Sequence, residues 1–284
     1  MKKIISIVLS LTLLMSTCFA LTSCSGDADA ILVHTNAFFA PFEYYEGTEI
    51  VGVDVDIMNK VAEKMGKTVT FTNVEFSAII DNVAAGEVCD AGAAGITITD
   101  ERKEKVNFST PYYTSVQYVI YAENSGIATK TGANGDYIVW EALKDMAIGT
   151  QTDTTGWIYT DGEINASEDN EDYGYNGVLY GTNTELKSFD NAQLAADGIG
   201  NLVDVVIIDE LPAKFIAEKN SGLKCLPLYY SGDTDADDAP VEEQYAICVT
   251  KGNDELLTAI NEVLDEMMEN GEVEDLVMQH MGME

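Results

Sequence analysis

Positive charge is scarce in this chain: 15 Lys and Arg stand against 49 Asp and Glu, a formal net charge of −34 in 284 residues. Binding to nucleic acid or to an anionic bilayer draws its free energy from clustered Lys and Arg, so nucleic acid is excluded as a partner. Histidine is nearly absent, with only His34 and His280 far apart in sequence. No Ser-His-Asp or Cys-His spacing and no phosphate-cradling glycine loop is present, which leaves a His-dependent hydrolase without support. Five cysteines match no zinc-binding spacing, which argues against a zinc site. Asp233-Thr234-Asp235-Ala236-Asp237 begins like a calcium loop, but Asp238 and Gln244 replace the turn glycine and the bidentate Glu. No metal and no cofactor is expected. The apolar run Ile4–Met15 is too short to span a membrane.

What is present is enough for a folded core: 46% hydrophobic residues and 9% aromatics. Lys2 and Lys3 ahead of the apolar run have the form of a secretory signal. Leu21-Thr22-Ser23-Cys24 resembles the lipobox of bacterial lipoproteins, which implies cleavage before Cys24 and acylation of its thiol. Residues 1–23 are therefore expected to be a signal, 24–30 an anchor and tether, and the folded protein extracytoplasmic and held to the cell membrane by lipid. Cys89, Cys225 and Cys248 then remain, enough for one disulfide at most; a Cys225–Cys248 pair is left open.

From Ile31 onward strand and helix patterns alternate. A strand at Ile31–Val33 precedes a helix at Asp54–Met65, with Met58, Val61, Ala62 and Met65 at helical spacing and Gly66 as its stop. Thr68–Thr72, Ser77–Ala85 and Ala91–Ile96 continue as strand, helix and strand. A second set recurs: strand Met146–Gly149, a helix starting near Thr154, strand Leu186–Phe189, helix Asn191–Ala196, strand Val203–Ile208 and helix Glu210–Ala217. The pattern predicts an α/β fold of two lobes, each a mostly parallel sheet flanked by helices. Val116–Ala122 and Gln244–Thr250 read as two hinge strands. Lobe 1 is then discontinuous, 31–117 plus 245–284, with lobe 2 at 118–244. An acidic stretch, 161–183, reads as a surface insertion, and Asp254–Glu269 as an amphipathic helix packed on a lobe.

Arg102 is the only arginine. Its planar fork can hold a carboxylate through two parallel hydrogen bonds, which a lysine cannot do. It follows Gly95-Ile96-Thr97-Ile98-Thr99, a strand end where backbone N–H groups and hydroxyls can face a bound anion.

Three runs carry a resemblance: Gly52-Val53-Asp54-Val55-Asp56, Ala94 to Arg102, and Asn107-Phe108-Ser109-Thr110-Pro111-Tyr112-Tyr113. With Ala40-Pro41-Phe42-Glu43, Ile148–Gly156 and Asp209, they are similar to the bacterial extracellular solute-binding proteins of family 3, the amino-acid receptors of ABC importers. The resemblance implies the two-lobed periplasmic-binding-protein fold (type II), closing on a free amino acid in the cleft. It implies that Arg102, Thr97 and Thr155, beside Gly95, clamp the ligand α-carboxylate and that Asp209 accepts its α-ammonium. Phe39 and Phe76 would pack on the ligand side chain, with Asn36 and Gln151 as polar contacts. Asn36 stands where binders of basic amino acids commonly carry Asp, so an uncharged polar ligand such as glutamine is favoured at this stage. A monomeric, non-enzymatic receptor that hands its ligand to a membrane ABC permease is the expectation. The alternative is a cyclohexadienyl dehydratase-like enzyme on the same fold, with Glu43 or Glu210 as its general acid.

Overall fold

The computed structural model describes residues 30–166 and 175–282. The expected signal, Cys24 and most of the tether lie outside them, as do residues 167–174. The chain opens with β1 (Ala30–Thr35), three short strands β2 (Phe38–Phe39), β3 (Glu43–Glu46) and β4 (Glu49–Val51), then α1 (Val53–Met65). Next come β5 (Thr68–Asn73), α2 (Phe76–Ala85), β6 (Ala91–Gly92), α3 (Asp100–Lys105) and β7 (Asn107–Phe108). The middle of the chain runs through β8 (Tyr113–Ala122), β9 (Lys130–Gly132), β10 (Gly135–Val139), β11 (Ala147–Gln151), α4 (Thr155–Asn165), β12 (Glu185–Phe189) and α5 (Ala192–Asp197). It continues with β13 (Val205–Asp209), α6 (Glu210–Lys219), β14 (Leu223–Tyr230), β15 (Ala239–Pro240), β16 (Glu242–Tyr245) and β17 (Cys248–Val249). Helices α7 (Asp254–Asn270) and α8 (Glu272–His280) follow.

Two sheets form two lobes. The first has the order β5-β1-β6-β17-β7, with β1 and β6 parallel and β17 antiparallel to both its neighbours. The second runs β12-β11-β13-β8-β14-β10-β9; β11 is parallel to β12 and β13, and β8 enters antiparallel between β13 and β14. Strand β8 joins the lobes. Its first residues pair with β16 (Ser115 opposite Glu243, Tyr113 opposite Tyr245), and its later ones with β13 and β14. The expected second hinge strand, Gln244–Thr250, is two pieces instead of one, because Tyr245 ends the pairing with β8 and Cys248 begins pairing with β6.

Local chemistry places these elements. Gly52 has φ 138, and a Cβ there would sit 2.1 Å from the Phe42 carbonyl oxygen, so only glycine lets the chain pass Phe42 into α1. Helix α1 buries Ile57, Met58, Val61 and Ala62 and stops at Gly66 in the left-handed conformation. Along α7, Leu256, Ile260, Val263, Leu264 and Met267 face inward, while Leu257 is only half-buried. Cys89 and Cys248 are buried in one cluster with Ile79 and Val83, and Cys225 lies on β14; all three are free thiols.

Of the stretch 161–183 read as a surface insertion, residues 167–174 lie outside the described residues, and parts of its described ends turn inward. Residues up to Asn165 complete α4, and Glu163 is fully buried, its carboxylate accepting the backbone N–H groups of Asn176 (3.3 Å) and Val178 (2.8 Å). That anchors the returning chain and buries Leu179 beside Ile148 and Ile207. A lone Glu in an acidic stretch gave no local sign of an inward role. In the 233–238 loop, Lys130 pairs with Asp235 and Asp238, each at 2.8 Å.

Candidate functional site

A small cavity, about 10 Å³ in volume, lies between the lobes. Lobe 1 lines it with Asn36, Phe39, Glu43, Phe76, Gly95, Thr97 and Arg102; Gln151, Thr154, Thr155 and Asp209 come from the ends of β11 and β13 and the start of α4. Strand ends facing a crevice are where open α/β sheets place ligands. All nine residues expected from sequence to meet the ligand thus line one cavity, from both lobes.

The aromatic wall and the loop after β6 are fitted to each other. Phe39, flanked by Phe42 and Tyr245, presses on Gly95, where φ is 53 and a Cβ would meet the Phe39 ring at 2.5 Å. The Gly95 N–H donates to Asp54 (2.9 Å), whose other oxygen takes the Tyr112 hydroxyl (2.5 Å). Phe76 begins α2 and carries the Arg102 guanidinium over its ring at 5.4 Å.

Arg102 is buried on the short helix α3, which Thr99 caps by accepting the Arg102 N–H at 3.1 Å. Its Nη1 donates to the Thr97 carbonyl (2.8 Å) and its Nη2 to the Asp153 carbonyl (2.9 Å) across the cleft. Asp153 adopts φ 61, a left-handed conformation that Asp tolerates better than most residues. Gln151 donates to Asn36 at 2.9 Å, also across the cleft, and Asn36 donates to the Val74 carbonyl. The two expected polar contacts therefore partner each other.

Acidic groups dominate the rest of the site. Asp209 precedes α6 but makes no capping bond; it accepts the Tyr245 hydroxyl instead. Glu43 is fully buried, and neither of its carboxylate oxygens has a hydrogen-bond partner. Burial pushes its pKa well above the usual carboxylate range, and the nearby Asp54 and Asp209 add to the rise. Burial also raises Asp209, and it takes Asp54 up to about 6 against the Tyr112 and Gly95 hydrogen bonds. Burial lowers the pKa of Arg102. Glu210 is directed elsewhere, accepting from Tyr118 and Lys214.

One residue of the site was missed by sequence reading. Glu243 on β16 is buried, and one of its oxygens accepts both the Thr97 hydroxyl (2.8 Å) and the Thr155 hydroxyl (2.9 Å). The signal was available: Val241, Glu243 and Tyr245 alternate inward while Glu242 and Gln244 alternate outward. With Tyr245 recognised as core, Glu243 would have followed.

Relatives extend over most of the chain. The arginine-binding extracellular protein ArtP of Bacillus subtilis (strain 168) is 29% identical over 275 residues, covering 94% of this chain and 95% of its own length. A probable histidine-binding protein of Neisseria gonorrhoeae is 26% identical, with 95% and 94% covered. Among solved structures, an ancestral arginine-binding protein bound to arginine superposes with a TM-score of 0.69 at 28% identity, covering 88% of this chain and 97% of that one. An ancestral arginine-binding protein bound to glutamine gives 0.67 at 29%, with the same coverage. The bacterial extracellular solute-binding proteins, family 3, match residues 31–283, and the chain belongs to that family.

Proposed function

We propose that the protein captures a free amino acid with a cationic side chain, arginine foremost, outside the cytoplasm and presents it to an ABC importer. Arg102 with Thr97 and Thr155 holds the α-carboxylate, Asp209 takes the α-ammonium, and Phe39 and Phe76 flank the side chain. The carrying observation is Glu43, a buried carboxyl on the cavity wall with both oxygens unpartnered. A group in that state is stabilised by an incoming cation far more than by a neutral amide. Asn36 and Gln151, the basis for favouring glutamine, are already bonded to each other, so the side-chain preference moves from uncharged polar to cationic. The arginine-binding and histidine-binding relatives agree with that direction. A ligand touching both lobes favours the closed arrangement by its differential affinity. Acylation at Cys24 would keep the monomeric receptor beside its permease.

The test is a thermal-shift screen of the purified protein against the common amino acids and against prephenate and arogenate. Arginine at 100-fold saturation is expected to add roughly 2.7 kcal/mol, a rise of roughly 5–10 °C in Tm. A shift with uncharged amino acids alone would contradict the cationic reading, and a shift with the ring acids alone would move the protein to the dehydratase class.

A further inference from the structure

The two threonine hydroxyls that face the clamp do not lack an acceptor. Thr97 comes from lobe 1 and Thr155 from the start of α4 in lobe 2, and both donate to the same oxygen of Glu243, which stands on the hinge strand β16. Each hydroxyl has one hydrogen to give. A ligand carboxylate that takes those hydrogens must take them from Glu243.

We propose that Glu243 is a specificity residue, a built-in competitor that occupies the carboxylate subsite and that the α-carboxylate of the ligand must displace. The inference rests on the assignment of Thr97, Thr155 and Arg102 to the α-carboxylate. The surroundings of Glu243 fit that role. Its second oxygen makes no well-formed hydrogen bond, and the neighbours within reach of the carboxyl group are the Asp209 carboxyl and the Tyr159 hydroxyl, so a second acid crowds the side chain where it stands. Arg102 from α3, Asp209 from β13, Tyr159 from α4 and Tyr245 from its own strand are the charged and titratable groups near it. Burial and the charge of Asp209 raise its pKa well above the usual range, the mark of a carboxylate held where a second negative charge is unwelcome.

A place for the displaced side chain exists. Glu243 lines a second, more open groove that meets the ligand cavity at Thr97, together with Tyr159 and Lys103. Lys103 is exposed there and, among the described residues, its ion-pair partner is Asp100 on its own helix. A rotation of Glu243 toward Lys103 exchanges two hydroxyl donors for an ammonium and clears the subsite.

The consequence is selective. Glu243 opposes ligands that bring a carboxylate and leaves a decarboxylated cation unopposed, whereas a purely structural hinge residue would treat the two alike. Titration calorimetry with L-arginine and with its decarboxylated analogue agmatine tests this on wild type, Glu243→Ala and Glu243→Gln. Glu242→Gln, on the exposed neighbour, controls for net charge. The ratio of L-arginine to agmatine affinity is expected to rise about tenfold or more in Glu243→Ala, with Glu243→Gln moving it the same way by less and Glu242→Gln leaving it unchanged. An unchanged or falling ratio in both Glu243 variants, with L-arginine still bound, would overturn the competitor. If neither wild type nor any variant bound L-arginine, the failure would lie with the cationic amino-acid reading itself, and the competitor would fall with it.

Discussion

Arg102 directs two of its N–H groups at the carbonyls of Thr97 and Asp153, one on each side of the cleft, while its guanidinium lies over Phe76. A lysine at this position keeps the charge but loses the fork and the stacking plane. Arg102→Lys is therefore expected to weaken L-arginine binding by roughly 2–5 kcal/mol, because the ligand carboxylate is left poorly paired in a desolvated site. Calorimetry checks it, and unchanged affinity would contradict the clamp. Arg102 was legible in sequence because it is the only arginine. Glu43 and Glu243 were harder to read. A buried Glu among so many exposed acids differs from them only in where a strand turns it, and that depends on its pairing partner: Phe39, across a hairpin of two very short strands, for Glu43, and the remote Ser115 for Glu243.

Helix α1 acts on the site through its first turn. Asp54 sits there fully buried and holds the Gly95 loop and Tyr112 together. Its pKa is raised from 3.8 to about 6, so the folded state favours the protonated form more than the unfolded chain does. That contribution is complete below the unfolded value and is lost as pH rises through about 6. Two pKa units correspond to about 3 kcal/mol. Denaturant unfolding at pH 4.5 and 7 is expected to show a smaller loss of stability on raising the pH in Asp54→Asn than in wild type. Parallel losses would contradict the role given to Asp54, since Glu43, Asp209 and Glu243, which are raised in the same direction, remain in both proteins. The long helices were readable from their periodicity and glycine stops. The two- to four-residue strands β2 to β4 were not, because such short segments carry no period, and the break between β16 and β17 depends on which distant strand each piece meets.

The whole molecule is an acidic body with an acidic cleft. A net charge of −34 draws cations toward the surface and repels anions, so the long-range field and the cavity select in the same sense. Glu43 and Asp209 both line the cavity, and Arg102 is the only lining residue of opposite sign; in the proposed binding mode Glu43 meets the ligand side chain and Asp209 its ammonium. The central claim is that this balance selects a cationic amino acid through Glu43. The measurement that tests it most directly is the affinity for L-arginine relative to L-glutamine, by calorimetry, in wild type and in the isosteric Glu43→Gln. Wild type is expected to prefer arginine by roughly a hundredfold, and Glu43→Gln to lose most of that preference, as removal of a desolvated charge partner requires. A wild-type preference for glutamine, or an arginine preference that survives in Glu43→Gln, would contradict the account.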